Sequence, residues 1–179
     1  MASTKIPLEL TAYAPDADGA TLELQTTDTT VTDGSVLGKI EFKAPKEASG
    51  TDAILVGAAI EAVAEGTFAA DNNATELVFK TGASEAATQK MVLTSGGSVG
   101  IAQSSPSSFD SGANKLVVGD TSVSSQGITI ASDTNSIIYF ADGTSGSEAY
   151  MGSVIYNHTN NNMTFRTNGF NTAMVIDSS

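Results

Sequence analysis

The chain has 179 residues and a net charge of −12 from 20 acidic and 8 basic residues, with 40% apolar content, 6% aromatic content and neither Cys nor Trp. The acids are dispersed, 14 before residue 91 and 6 after it, with no basic patch; such a surface repels phosphate backbones and argues against nucleic acid as a partner. Disulfide and thiolate chemistry are excluded, and no apolar run reaches the ~18 residues of a membrane span or reads as a signal peptide.

Small polar residues dominate: 22 Thr, 21 Ser, 17 Gly and 10 Asn. Thr favours strands, whereas Ser, Asn and Gly favour turns, so the composition suits many short strands with tight connections. A core of this make-up is thin in one chain, and association with other chains is a natural way to bury more surface.

The first 20 residues stand apart. KIPLEL (5–10) is a short apolar piece carrying a Pro, and AYAPDADGA (12–20) is turn-rich; together they read as an attachment arm. Alternating segments follow at TLELQT (21–26), GKIEFKA (38–44), ELVFKT (76–81) and KMVLTS (90–95). Turn clusters at 32–35, 46–52, 70–74 and 95–98 separate the segments of this half. AILVGAAIEAVAEGTFAA (53–70) is Ala-rich and passes as a helix on propensity. Gly57 and Gly66 interrupt it, however, and its counterpart in the second half, GSVIYNH (152–158), is strand-like, so residues 58–65 are expected to form a strand.

That comparison rests on an internal repeat. GKIEFKA is echoed by IIYFADG (137–143), GAAIEAV (57–63) by GSVIYNH, LVFKTG (77–82) by MTFRTNG (163–169) and KMVLTS by AMVIDS (173–178). AQSSPSSFDSGAN (102–114) connects the copies, and KLVVG (115–119) and GITIAS (127–132) open the second. The expected organisation is an arm at 1–20, a first β-module at 21–105 and a second at 106–179, each with about five strands of ordinary length. The expected fold is all-β: two tandem antiparallel modules of a fibrous shaft rather than a compact enzyme. Ile40, Phe42, Ile60, Val78, Phe79, Met91, Leu93 and Ile101 should form the buried layers of the first module, and Ile138, Phe140, Ile155, Phe165, Met174 and Ile176 those of the second, in part between chains.

Catalytic and metal motifs are weak. The single histidine, His158, lies in a strand-to-turn stretch, and no G-x-S-x-G elbow accompanies it. Asp16 to Gly19 form a D-x-D-G fragment of a calcium loop, but Glu23 falls at the wrong spacing for its distal ligand. Asp71, Asn72 and Asn73 read as a turn. Glu61 and Glu65 share a face if the strand is regular, yet they and Glu41 read as a solvated face that protects a sheet edge. Asn157-His158-Thr159 is only formally a glycosylation acceptor, and SGGSVG (95–100) lacks the ending of a phosphate loop. No catalytic, cofactor or metal residue is assigned, and the chain is not expected to be an enzyme.

SGGSVGIAQSSP (95–106) resembles the "SSGNVGIGTSSP"-like punctuation of fibre proteins from tailed bacteriophages, many of them marine. LVFKTGASEAATQKMVLTSGG (77–97) is similar to the segment that precedes it there, and KIPLEL to a common opening of those chains. The resemblance covers residues 5–10 and 36–179, with Ala102-Gln103 in place of the usual Gly-Thr. It implies a virion component, most often a parallel homotrimer; the N-terminal arm is expected to dock on a tail or capsid protein and the shaft to space a distal receptor-binding element from the particle. A capsid-anchored head fibre and a carbohydrate-binding or depolymerising tail spike are the alternatives. Because MVIDSS (174–179) lacks the VGI that follows MVLTSGG (91–97), the sequence is expected to be the N-terminal part of a longer fibre that meets the host through residues further on.

Overall fold

The computed structural model describes residues 21–44 and 50–178. The expected attachment arm, with its Asp16–Gly19 turn, lies outside these residues. Ten strands and two short 3₁₀ turns make up the regular structure, and the described residues contain no α-helix. The fold is all-β, with two separate sheets.

The first unit holds β1 (Val36–Lys43), β2 (Val56–Ala64), β3 (Thr75–Thr81), β4 (Thr88–Leu93), β5 (Val99–Ile101) and β6 (Leu116–Val118), ordered along one sheet as in the chain. The second is a four-stranded antiparallel meander of β7 (Asn135–Phe140), β8 (Gly152–Asn157), β9 (Asn162–Thr167) and β10 (Asn171–Ile176). The Ala-rich segment is a strand, as the repeat requires: β2 pairs with β1 on one side and with β3 on the other. Two neighbours outweigh the helix propensity of alanine.

Three expectations need correction. TLELQT and GITIAS form no strand, because neither finds a ladder partner among the described residues. The boundary between units lies after Gln126, not at 105/106. Its cause is KLVVG, which supplies β6 and pairs in parallel with β5 of the first sheet instead of opening the second module. A parallel pair needs a crossover, here residues 102–115. A Cβ added at Gly100, on the face of Val92, would lie 3.1 Å from Val92 Cγ1 and collide with the main chain of Gln103, so the crossover starts across that face. It carries Pro106, which is fully buried.

Local turns follow the sequence chemistry. The β4–β5 loop closes with Gly97 N–H donating to the Thr94 carbonyl (2.9 Å) and Ser98 N–H to the Thr94 hydroxyl (3.1 Å). Gly97 has φ 74°, which glycine adopts without penalty, so SGGS is a turn. Asn168 and Gly169 both have positive φ, the usual chemistry of an Asn-Gly hairpin between β9 and β10.

Candidate assembly surface

Opposed residues of a ladder point to the same face, so the register assigns faces. In the first sheet one face carries the row Ile40–Ile60–Phe79–Met91–Ile101. The other carries Lys39–Glu61–Val78–Val92–Gly100. In the second sheet the rows are Ile138–Val154–Phe165–Met174 and Ile137–Ile155–Thr164–Val175. Phe79 faces Met91 as Phe165 faces Met174, so four strands of each sheet pair in the same order and the repeat recurs at the level of register.

The register also shows where sequence matching slipped. Setting GAAIEAV beside GSVIYNH aligns Ile60 with Ile155, whereas the rows align Ile60 with Val154. A slip of one residue moves a side chain to the opposite face, and Ile155 indeed sits away from the other expected core residues of its unit.

The mixed face is the one closed within the chain. Val78 and Val92 are buried in the first unit, and Ile155, Ser153 and Thr164 in the second. Glu61, also buried, forms an ion pair with Lys80. In the second unit the 3₁₀ turn Gly146–Tyr150 lies against β7 and brings Tyr150 to ring-centroid distances of 4.7 Å from Phe170 and 6.0 Å from Tyr139.

The apolar face is the open one. Of the expected core, only Val78 and Ile155 are buried, and both belong to the other face. Ile60, Phe79, Met91 and Phe165 are half-buried. Ile40, Phe42, Leu93 and Ile101 are exposed, as are Ile138, Phe140, Met174 and Ile176, with Phe42 at 55% and Phe140 at 60%. Alternation correctly selected an apolar face, but the described residues leave it uncovered. Contiguous apolar area of this kind marks an interaction surface.

The residues weighed for chemistry are tied into local structure. The Ser136 hydroxyl and His158 Nε2 lie 3.0 Å apart, with Tyr156 edge-on to the imidazole at 4.9 Å. Glu65 accepts the Ser95 N–H at 2.7 Å, so Glu61 and Glu65 each have a partner of their own. Glu61 departs from the expected solvated face, since β2 is an inner strand. Glu41 fits it, on edge strand β1, where the Lys39 ammonium 2.6 Å away holds its carboxyl below the ordinary range. Asn72 donates to the Thr67 carbonyl (2.8 Å) and accepts the Ala74 N–H (3.2 Å), as a turn residue does. The Glu61–Lys80 pair and the aromatic cluster were not anticipated; the pair is visible as opposite charges once the register is known, and the cluster joins residues too far apart in sequence to suggest one another.

No family model matches the chain, and no curated protein does. Solved structures do. The carboxy-terminal domain of the bacteriophage T5 L-shaped tail fibre aligns over 96% of this chain and 86% of its own length, with a TM-score of 0.50 and 10% identity. The fold resembles that of a phage tail-fibre domain. The same T5 domain with its intra-molecular chaperone domain aligns over 95% of this chain and 59% of its own length, at 11% identity and a TM-score of 0.50.

Proposed function

We propose that this chain is a structural part of a bacteriophage tail fibre and works as a parallel homotrimer. The observation that carries this reading is the row Ile40–Ile60–Phe79–Met91, recurring as Ile138–Val154–Phe165–Met174 on an open face in both units. A surface that repeats with the module and remains apolar is what copies of one chain bury against each other. The likeness in fold to a tail-fibre domain supports the same reading.

The role is mechanical rather than catalytic. Burial of the apolar faces between copies stiffens a shaft, the N-terminal arm at 1–20 docks on a tail protein, and the shaft holds a receptor-binding element away from the particle. The engagement of Glu61 by Lys80 and of Glu65 by the Ser95 amide speaks against a paired-carboxylate glycosidase, which needs two free acids across one groove. Antibody against the chain, viewed by electron microscopy on intact virions, should decorate the tail fibres. Decoration of the capsid alone would move the protein to a head fibre, and cleavage of host polysaccharide by the purified chain would contradict a purely mechanical role.

A further inference from the structure

TLELQT and GITIAS form no strand, yet they occupy matching places in the two units. Each precedes the meander and touches its first strand at the same row. Gly38 and Ser136 are equivalent, two residues before Ile40 and Ile138. A Cβ at Gly38 would come within 2.8 Å of Leu24 Cβ and 3.1 Å of the Leu24 carbonyl oxygen. The Ser136 hydroxyl donates to the Ile130 carbonyl at 2.7 Å. Leu24 and Ile130 are therefore counterparts, and so are Leu22 and Ile128.

Both segments carry two aliphatic side chains at alternate positions, and these stay open: Leu22 is 61% and Ile128 67% exposed. Among the described residues no hydrogen bond between main-chain groups ties Thr21–Thr26 or Gly127–Ser132 to the rest of the chain. Each thus meets the first strand on the apolar side of its own sheet, with Leu22 and Ile128 uncovered.

The geometry points to a clasp between copies: Leu22 and Leu24, and Ile128 and Ile130, pack on the apolar face of the same module in a neighbouring copy of this chain. The inference rests on the homotrimer proposed above and names the contact that closes it. A second copy is the occupant because segment and apolar face occur together within each module, so a copy of the same module brings both halves of the contact. In a ring of copies with apolar faces inward, the β7 edge of one sheet adjoins the β10 edge of the next, which places Ile128 beside Met174 of the neighbour.

The absence of Cys from the chain allows a direct test. The double variant Ile128→Cys, Met174→Cys, oxidised and run without reductant, should give a covalent trimer. Met174 stands on β10, three strand spacings or about 14 Å from β7, and peptide mapping of each gel band of the oxidised product tells a bridge between copies from one within a copy. A trimer in solution that runs as monomer on the denaturing gel would overturn the clasp and leave the homotrimer standing, whereas a monomeric parent chain would overturn the homotrimer itself. As a second readout, Leu22→Ser with Ile128→Ser should raise the concentration at half-dissociation about tenfold or more with unchanged far-ultraviolet circular dichroism; an unchanged midpoint would overturn the clasp as well.

Discussion

The two units share four strands and one register but close their inner faces differently. The first adds β5, β6 and a crossover that carries the buried Pro106. The second has no added strand among the described residues and instead folds a 3₁₀ turn back so that Tyr150 meets Phe170 and Tyr139. What stays constant is the open apolar row. A feature that varies between two copies of a module is a local solution to covering that module, whereas one that persists uncovered in both fits the proposed assembly. On that proposal the comparison divides the residues into those that stabilise a single chain and those that hold copies together.

The largest expected effect strikes the shared row. Phe79→Ala and Phe165→Ala should each destabilise the assembly by about 3–5 kcal/mol per chain, and the loss should deepen on dilution, as followed by thermal melts across a concentration series. A concentration-independent loss would place these rings inside one chain. Val92→Ala, on the inner face at 0% exposure, should cost about 2–3 kcal/mol without changing how the midpoint responds to dilution.

A smaller effect sharpens the difference at the end of β5. Ala102 has φ 54°, a left-handed conformation that disfavours any Cβ, in the position where the resembling fibre punctuation carries Gly. Ala102→Gly should stabilise the first unit by about 0.5 kcal/mol, since the relief of strain is partly offset by the greater freedom of glycine in the unfolded chain. Urea denaturation of the two proteins checks the sign.

The smallest effect is electrostatic. Burial, then Glu65 and Asp33, push the Glu76 carboxyl above its ordinary value of 4.5. The folded chain thus holds this proton more tightly than the unfolded chain, so its contribution to stability is present at low pH and is lost as pH rises from about 4.5 through the raised folded value. Glu76→Gln should flatten that decline in melts taken from pH 4 to pH 7. Asp120 behaves oppositely: the Ser122 N–H and hydroxyl hold its carboxyl low, so its contribution is lost as the solution is acidified.

Much of this division was legible in the sequence. Strand periodicity and the repeat identified the strands that bear the apolar row, and the repeat overruled the helix propensity of residues 58–65. Alternation, however, reports that one face is apolar, not which body covers it, so Ile40, Phe42, Ile138 and Phe140 lie on the expected apolar faces but are exposed rather than buried. The crossover was illegible because KLVVG resembles the start of a module and its parallel partner VGI is only three residues long. TLELQT and GITIAS read as strands because they have the pattern of strands; what they lack is a partner among the described residues.

The mass of the 179-residue chain in solution, measured by light scattering across a dilution series, tests the central claim most directly. The account predicts a species of three times the chain mass of 18.2 kDa. A species that stays at 18.2 kDa at every concentration, with its β-structure intact, would contradict it.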